Sequence, residues 1–392
     1  MSTAYSQLNP GKRYLMGPGP SDMHQRVYQA MSAPLVGHLD PYFQQVMEET
    51  KTLLRYVFQT KNEWTIPISA TGSAGMETCF CNLIEPDDEV LICVGGYFGD
   101  RMTQMVERHG GRLVRLDGEW GRPFTPDQVK QALNGCHAKI VGIVHTETST
   151  GVGQPIAEIA RIVHEHDALL IVDTVASLGG TDIPVDSWGI DVCYTGSQKC
   201  LSAPPGIAPM TMNERAQQKI LNRTVPVGSW YLDMGLLMKY WGSERVYHHT
   251  APVTMIYALR EALILIHEEG LENGFARHAL NYRAFKAGVD AMGISFFVDE
   301  QDRAPMINPV LVPEGIDEAR LRGRLLEEYG IEVGGGLGKL KGKAFRVGLM
   351  GQGSQKDHVL LFLGALEEVL LAEGHQVDDS GVSAAGEIYS QG

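Results

Sequence analysis

Two residues of opposite charge follow two short, mainly apolar runs in the middle of the sequence. Asp173 follows the run at residues 168–172, and Lys199 comes shortly after the run at residues 191–194. Runs this short, rich in branched apolar residues and bounded by glycine and proline, are typical of buried strands. Because functional groups in open α/β sheets lie at the carboxyl ends of strands, we expect Asp173 and Lys199 on the same edge of one sheet.

An amine and a carboxylate in this arrangement can take part together in one demanding reaction. The amine can form a Schiff base with an aldehyde, while the acid holds a proton on a ring nitrogen of the same molecule. Such a pair is the usual contribution of a protein to pyridoxal phosphate chemistry. The alternative is an ordinary ion pair at two strand ends. Ser197 and Gln198 before the lysine, and the Ala-Pro-Pro-Gly turn after it, favour the first interpretation.

Several further segments are predicted to form the sheet that positions this pair. Residues 64–69, 89–94 and 139–145 are short apolar runs typical of strands, and segments with helical spacing of apolar residues separate them. This alternation predicts an α/β fold with a largely parallel sheet and right-handed crossovers. Residues 207–212 also resemble a strand, but Pro209 is expected to confine that strand to an edge of the sheet or to an irregular position.

Two other features are typical of anion binding. The small residues 71–73 lie between a predicted strand and a predicted helix, so their backbone N–H groups and hydroxyls are available for a phosphate. Arg346 lies in an otherwise apolar strand. A buried guanidinium needs an anionic partner, either a planar carboxylate ligand or an internal acid. The glycine-rich residues 334–338 that precede this strand are expected to form a flexible turn.

Length, charge and composition limit the class of protein. A chain of 392 residues is expected to form two domains, and its net charge of −14 argues against nucleic acid or an anionic membrane as a partner. There is no run of about 18 apolar residues and no signal segment, so neither a membrane span nor secretion is expected. The six cysteines form neither a CxxC pair nor a metal-ligand spacing, which predicts a reduced, cytoplasmic protein without a metal.

Two motifs carry a family resemblance: VDTVASLGG at residues 172–180 and TGSQKCLSAPPG at residues 195–206. Together with LMGPGPS at 15–21 and FRVGLMG at 345–351, they resemble the class V aminotransferases of fold type I, specifically the alanine– and serine–glyoxylate aminotransferases. The resemblance implies pyridoxal 5'-phosphate as the cofactor and a homodimer with shared active sites. It also implies an N-terminal arm at residues 1–14, a large cofactor-binding domain with a mainly parallel sheet at residues 15–271, and a smaller α/β domain at residues 272–392.

The resemblance further implies roles for individual residues. Lys199 would bind the cofactor covalently, Asp173 would hold its ring nitrogen, and Arg346 would bind the α-carboxylate of the substrate. Gly19, His38 and Trp230 are expected near the substrate. The remaining cofactor contacts would come from Thr71, Gly72, Ser73, Phe98, Thr148, Val175 and Gln198 of one subunit, and from the partner subunit's Tyr247 and the partner subunit's Thr250.

The reaction implied is transfer of the amino group of alanine or serine to glyoxylate, which yields glycine and pyruvate or hydroxypyruvate. The chain is also similar to (S)-ureidoglycine–glyoxylate aminotransferase, notably in FQTKN at residues 58–62 and MIYALRE at residues 255–261. That activity is expected to use amide side chains at two positions where this chain has His38 and Trp230. The alanine and serine interpretation is therefore preferred.

Two less favoured interpretations use the same scaffold. A class V cysteine desulfurase needs a mobile catalytic cysteine late in the chain and a histidine stacked on the cofactor ring. Here every cysteine precedes residue 201, and Phe98 holds the stacking position. A non-enzymatic dimeric binding protein would show no cofactor absorption band in the visible spectrum.

Overall fold

The computed structural model describes residues 7–391, so residues 1–6 of the predicted N-terminal arm, and Gly392, lie outside the described part. The strands of the described part are β1 (Tyr14–Leu15), β2 (Trp64–Ile68), β3 (Glu89–Val94), β4 (Arg112–Asp117), β5 (Ile140–Val144), β6 (Leu169–Asp173), β7 (Val192–Tyr194), β8 (Ala208–Met212), β9 (Ile307–Leu311), β10 (Ile331–Glu332), β11 (Gly334–Gly335) and β12 (Ala344–Gly348).

The α-helices of the same residues are α1 (Gln25–Met31), α2 (Pro41–Phe58), α3 (Gly72–Leu83), α4 (Tyr97–Arg108), α5 (Pro126–Asn134), α6 (Ile156–Glu165), α7 (Val185–Trp188), α8 (Glu214–Leu221), α9 (Met234–Trp241), α10 (Val253–Glu269), α11 (Leu271–Ala291), α12 (Glu318–Tyr329), α13 (Lys356–Ala372) and α14 (Gly381–Gln391). Across residues 7–391, no helix combines the length and the apolar character needed to cross a membrane.

A seven-stranded sheet forms the centre of the fold, in the order β2-β8-β7-β6-β5-β3-β4. The neighbours from β7 to β4 run parallel, whereas β8 is antiparallel to both β7 and β2. Every residue of β5, β6 and β7 is buried. Strands covered on both faces need continuous apolar sequences, which explains the runs of Val, Ile and Leu in β5 and β6. The predicted α/β architecture with a mainly parallel sheet is confirmed.

The prediction that Pro209 places its strand at a sheet edge is wrong. β8 lies between β2 and β7, and Pro209 is opposite Pro67 of β2. The carbonyl oxygen of Pro209 accepts a hydrogen bond of 2.9 Å from the N–H of Thr195, just beyond the last residue of β7. The nitrogen and carbonyl of a strand residue point to the same side. The missing N–H of Pro209 therefore faces a position where β7 has already ended, and little pairing is lost.

A buried carboxylate anchors β7 to its surroundings. Asp191, directly before β7, is fully buried. Its Oδ2 accepts a hydrogen bond of 2.8 Å from the N–H of Leu170 in β6. Its Oδ1 accepts hydrogen bonds from the Asn213 amide at 2.8 Å and from the Arg215 guanidinium at 3.0 Å, at the start of α8. These charge-assisted bonds fix the relative position of β6 and β7, whose opposite ends carry the predicted site.

The C-terminal part contains a small antiparallel sheet, in the order β11-β12-β9. Its buried hydrophobic residues form a cluster separate from the cluster around the large sheet. Met16 belongs to this second cluster, and β1 pairs with β10. The segment that follows the predicted arm therefore packs with the C-terminal residues. The predicted boundary between residues 271 and 272 falls at the start of α11, and it stays a prediction.

Residues 334–335 form the paired strand β11, and the prediction of a flexible turn is wrong for them. Gly334 is opposite Arg346 of β12, and Gly335 is opposite Phe345. A side chain at Gly334 would collide with Pro18. Glycine at this position thus lets the segment around Pro18 lie directly against the small sheet, where it reaches the predicted site.

Candidate active site

Asp173 is the last residue of β6 and is 3% exposed. Its Oδ1 accepts a hydrogen bond of 2.8 Å from the N–H of Val175, and its Oδ2 accepts one of 2.6 Å from the hydroxyl of Tyr194. Burial raises the pKa of Asp173 to about 6, while the two hydrogen bonds oppose this change because they stabilise the charged form. Asp173 is therefore a carboxylate kept from water and able to pair with a further N–H group.

Lys199 leaves the sheet at the same edge, since it follows β7, and β7 pairs in parallel with β6. Its Nζ donates a hydrogen bond to the carbonyl oxygen of Pro18. Burial, and then repulsion by the Arg346 guanidinium, lowers the pKa of Lys199 to about 8. A lysine with such a pKa has an appreciable share of neutral amine near neutral pH, and the neutral amine is the nucleophilic form.

Gly19 lies directly against this lysine. A Cβ atom at position 19 would be 2.5 Å from Cδ and 2.7 Å from Nζ of Lys199, so any side chain there would displace the lysine. Gly19 also has a φ of +105°, a conformation that favours glycine. Glycine at this position therefore leaves the space that the lysine side chain occupies.

The N-terminus of α3 offers unpaired backbone donors. Thr71 is the N-cap residue but makes no side-chain capping hydrogen bond. The N–H groups of Gly72 and Ser73, in the first turn, consequently have no partner within the helix. A Cβ atom at Gly72 would be 3.3 Å from Cγ2 of Val175, so the helix end lies close to the residues that follow Asp173. An anion would accept hydrogen bonds from these N–H groups and interact favourably with the positive end of the helix dipole.

Arg101 in α4 adds a cation that was not identified from the sequence. Its Nη1 donates a hydrogen bond of 2.9 Å to Oγ of Ser73, and its guanidinium carbon lies 4.8 Å from the centre of the Phe98 ring. Among residues 7–391, no carboxylate pairs with it. A cation beside the positive end of a helix is unfavourable unless an anion joins them, so this arrangement indicates an anion site. The spacing of three between Phe98 and Arg101 was the available signal, because it puts both on one helix face.

Glu147 closes the N-terminus of α4 at the same edge. Its side chain is buried and accepts hydrogen bonds from the N–H groups of Phe98 and Gly99, at 3.1 and 3.2 Å, and from Oγ of Ser149 at 2.7 Å. Burial raises the pKa of Glu147, and these hydrogen bonds oppose that increase. The carboxylate serves as the cap of α4, whose own N-cap residue is Gly96, and it fixes Phe98 at the cavity wall.

Arg346, the central residue of β12, is 7% exposed. Its Nε donates to the carbonyl oxygen of Gly335 at 2.8 Å, and its Nη1 donates to the carbonyl oxygen of Thr148 at 3.2 Å. Burial lowers the pKa of Arg346 to about 10, with Glu147 partly opposing the decrease. Within residues 7–391 it forms no ion pair with a carboxylate, so the internal ion pair considered above is not formed. The remaining N–H groups can bind a carboxylate ligand in a bidentate way.

A cavity of about 260 Å³ opens at this edge of the sheet. Three of its lining residues were not predicted: Arg101, and the apolar Met76 and Val144, which no sequence signal distinguishes from ordinary core residues. The cavity brings together nine residues that were predicted from the sequence, namely Thr71, Gly72, Ser73, Phe98, Thr148, Asp173, Val175, Gln198 and Lys199.

Six predicted residues are not among those that line the cavity of their own chain. Two of them, Gly19 and Arg346, contact the lining residues Lys199 and Thr148. The other four are His38, Trp230, Tyr247 and Thr250. The Tyr247 ring is 57% exposed and lies 5.3 Å from the ring of His38. The Trp230 ring is 62% exposed and stacks on His248 at 4.3 Å. In the single chain Trp230, Tyr247 and Thr250 are exposed, and His38 is half-buried. The expected roles of Tyr247 and Thr250 at the partner subunit's cofactor, and of His38 and Trp230 near the substrate, stay predictions.

The groups around the cavity fit pyridoxal phosphate. Unpaired N–H groups and Arg101 suit a phosphate, the Asp173 carboxylate suits a protonated ring nitrogen, and Lys199 suits an aldehyde. In the described part of the chain, no group of three His, Cys, Asp or Glu side chains is arranged to hold a metal ion. A mainly parallel sheet with this site at the carboxyl ends of its strands is the architecture of a pyridoxal-phosphate enzyme of fold type I.

The chain is similar to aminotransferases over nearly its whole length. The family model "Aminotransferase class-V" matches residues 13–342. The solved ureidoglycine–glyoxylate aminotransferase of Bacillus subtilis is 42% identical, with a TM-score of 0.96 over 98% of this chain and 100% of that chain. The solved alanine–glyoxylate aminotransferase of Nostoc sp. is 48% identical, with a TM-score of 0.91 over 93% and 98% of the two chains. The alanine–glyoxylate aminotransferase of Mus musculus is 40% identical over 93% of this chain and 89% of the relative.

The chain therefore belongs to the class V aminotransferases. As a member of that family it is a transaminase of fold type I that depends on pyridoxal 5'-phosphate, and the predictions of family, fold and cofactor are confirmed. Its relatives include both alanine–glyoxylate and ureidoglycine–glyoxylate aminotransferases at about 40% identity or more. Family membership alone consequently does not select the amino donor.

The lowered pKa of Lys199 predicts a pH-dependent stability of the cofactor-free protein. The folded state has a pKa of about 8, against the ordinary value of 10.5 in the unfolded chain. The unfolded state therefore binds more protons between these values, and stability rises with pH across that window. We expect Lys199→Met to be more stable than the wild type at pH 7, with a difference that diminishes as pH rises from about 8 towards 10.5. Urea unfolding of both proteins at several pH values measures this.

Lys130→Met is the matched control, because Lys130 is exposed on α5. Its stability relative to the wild type should not change across the same pH range. A wild type more stable than Lys199→Met at pH 7, or a difference that stays constant with pH, would contradict the burial of a partly neutral amine.

Arg101 is expected to bind the phosphate of the cofactor. We expect Arg101→Gln to weaken the binding of pyridoxal phosphate by about ten- to a hundred-fold, the value of one hydrogen bond to a charged group. The affinity for pyridoxal, which lacks the phosphate, should stay the same. Equilibrium titrations followed by absorbance measure both affinities. Arg108→Gln, on the same helix but exposed, is the control. An equal loss for both ligands would instead assign Arg101 to the support of Phe98.

Proposed function

We propose that the enzyme transfers the amino group of alanine or serine to glyoxylate, with glycine and pyruvate or hydroxypyruvate as products. The observation that carries this proposal is the buried Arg346, whose hydrogen bonds go to backbone carbonyls and leave N–H groups for a ligand carboxylate. All six of these substrates and products carry a carboxylate next to the reacting carbon. One guanidinium at a fixed distance from Lys199 therefore suits each of them. The names of relatives such as the alanine–glyoxylate aminotransferases support the same choice.

The proposed catalytic work of the chain itself falls to Lys199 and Asp173. When bound, pyridoxal phosphate supplies an electron-accepting ring that makes the α-proton of an amino acid acidic. The neutral Nζ of Lys199 would remove that proton from the α-carbon and deliver it to the carbon that carried the cofactor's aldehyde, so that the amino group stays with the cofactor and the oxo acid is released. Asp173 would hold a proton on the ring nitrogen of the cofactor. The burial that lowers the pKa of Lys199 to about 8 keeps the amine ready to accept a proton near neutral pH.

The remaining cavity residues are proposed to position the reactants. Gly72, Ser73, Thr71 and Gln198 are assigned to the phosphate, where the free first-turn N–H groups of α3 support the assignment. Phe98 and Val175 are assigned to the faces of the ring, and Thr148 to its phenolic oxygen. Gly19 is assigned to the substrate side, next to Lys199.

The second candidate is transfer from (S)-ureidoglycine to glyoxylate. The similarity in length and structure to the ureidoglycine–glyoxylate aminotransferase of Bacillus subtilis favours it. The residues His38 and Trp230 favour the alanine or serine reaction instead, because a ureidoglycine donor needs amide groups to pair with its urea. An aromatic ring at position 230 offers an apolar surface suited to a small donor side chain.

A panel of amino donors distinguishes the two reactions. With glyoxylate as the acceptor, we expect kcat/KM for alanine or serine to exceed that for ureidoglycine by at least about ten-fold, since unpaired urea groups would be left buried. Steady-state assays of glycine formation measure these values. Trp230→Asn is expected to reduce the difference. A kcat/KM that is highest for ureidoglycine would replace the first candidate by the second.

We further propose that the active enzyme is a homodimer in which each site takes residues from both subunits. Tyr247 and Thr250 are exposed in the single chain and lie outside its cavity, which supports a role at the partner's cofactor. Exposed apolar residues lie near Tyr247 and Thr250 in sequence or space, among them Trp230, Tyr231 and Val246. Surfaces of this kind are typical of protein interfaces. The cytoplasmic location predicted from the sequence stays a prediction.

Mixed dimers test the shared site. One chain carries Lys199→Ala and the other carries Tyr247→Ala, with different tags for purification. If Tyr247 acts across the interface, the only site with a lysine in the mixed dimer receives an intact tyrosine. We then expect wild-type cofactor affinity at that site and about half of the wild-type activity per dimer. If Tyr247 acted within its own chain, the mixed dimer would bind the cofactor no better than the Tyr247→Ala parent.

A further inference from the structure

The hydroxyl of Tyr194 is the one side-chain donor to the Asp173 carboxylate among residues 7–391. It donates to Oδ2 at 2.6 Å, and the backbone N–H of Val175 donates to Oδ1 at 2.8 Å. Tyr194 is fully buried, and Asp173 is 3% exposed. Water therefore has little access to replace the phenol, and the hydrogen bond acts in a region of low dielectric constant, where it is strong.

The sheet and α3 hold the phenol in this position. Asp173 and Tyr194 are paired residues of the parallel strands β6 and β7, so their side chains leave the sheet on the same face. Gly75 of α3 lies over the tyrosine: a Cβ atom there would be 3.4 Å from Cδ2 of its ring and 3.0 Å from Cβ of Ala208. This close packing leaves the ring little freedom, so the hydroxyl stays directed at the carboxylate.

We propose that Tyr194 is a positioning residue that keeps Asp173 ionised and oriented, so that the proton shared with the cofactor stays on the ring nitrogen. The inference rests on the proposed role of Asp173 and adds a second residue to it.

The charges around Asp173 explain why such a donor is needed. Burial favours the neutral acid and raises the pKa of Asp173 to about 6, and the nearby carboxylate of Glu147 adds to this. Lys199 opposes the change only while it is charged. Two thiols also face the carboxylate, Cys79 from α3 and Cys193 from β7, and burial raises the pKa of both, so they stay neutral. They contribute no positive charge.

Tyr194 itself stays a proton donor near neutral pH. Burial, and then the charge of Asp173, raises the pKa of Tyr194 well above its usual value. The phenol therefore stays protonated near neutral pH and can donate to the carboxylate there. Without the Tyr194 hydroxyl, Oδ2 of Asp173 loses its hydrogen-bond donor and becomes more basic. The proton shared with the cofactor then moves from the ring nitrogen towards the carboxylate. A ring without that proton accepts electrons less well.

The test is nitrogen-15 NMR of the holoenzyme loaded with ring-labelled pyridoxal phosphate. Tyr194→Phe is expected to move the ring-nitrogen resonance towards the value of the unprotonated ring. It is also expected to lower kcat by about ten-fold or more with KM little changed, as for loss of one hydrogen bond to a charged group. Tyr389→Phe is the matched control, because it removes a phenol that donates to the Asn281 side chain at 2.7 Å, away from the cavity.

The outcomes separate this inference from the proposed role of Asp173. If Asp173→Asn moves the nitrogen resonance and Tyr194→Phe does not, Tyr194 has no such role, although Asp173 keeps its own. If neither variant moves it, both assignments fail. A shift in both supports both, whichever amino donor the enzyme prefers. Should Tyr194→Phe not fold, 4-fluorophenylalanine at position 194 fills the volume of the hydroxyl without donating, and the same shift is expected. The donor 4-aminophenylalanine should restore the wild-type resonance.

Discussion

The parallel pairing of β6 with β7 is the constraint on which the rest of the site depends. It brings the acid at the end of one strand and the lysine after the next to a single sheet edge, where the acid is buried and the lysine is half-buried. Burial then acts on the two groups in opposite directions: it raises the pKa of Asp173 to about 6 and lowers that of Lys199 to about 8. An exposed Asp–Lys pair would be fully charged and mutually attracted. Burial makes the charged form of each group less favourable, so each can interact with a ligand instead of forming an ion pair with the other.

The N-termini of α3 and α4 both lie at this edge, but only that of α4 is capped by a side chain. This difference decides what each can bind. The first turn of α4 is closed by the buried carboxylate of Glu147, which accepts from its N–H groups. The first turn of α3 has no side-chain cap and keeps its N–H groups free. One helix end is therefore saturated by the protein and serves to hold Phe98, whereas the other is available for an external anion. Arg101 connects the two helices, because it lies in α4 and donates a hydrogen bond to Ser73 of α3.

Sequence reasoning recovered the parts of this structure that are encoded locally. Strands such as β5 and β6 are continuous runs of apolar residues because both of their faces are covered, and their carboxyl ends led to Asp173 and Lys199. Contacts between distant segments were not recoverable in the same way. The pairing of Tyr194 with Asp173 depends on strand register, and that of Arg101 with Ser73 on helix packing. The prediction for Pro209 was wrong because the cost of its missing N–H depends on where the neighbouring strand β7 ends. The sequence of β8 alone does not contain that information.

Arg346 shows how one residue can serve both the fold and the ligand. Its hydrogen bonds to the carbonyls of Gly335 and Thr148 join the small sheet to the loop after β5, so the guanidinium is oriented before any ligand arrives. A buried cation paired only with neutral carbonyls is less stable than one paired with a carboxylate, and burial lowers its pKa to about 10. The binding of a carboxylate ligand removes this deficit without a new contact between the two sheets. In the unliganded protein, the burial of Arg346 without a carboxylate partner costs free energy. Ligand binding recovers this free energy, which therefore contributes to affinity. Because the guanidinium is already oriented, little of the gain is lost in ordering the side chain.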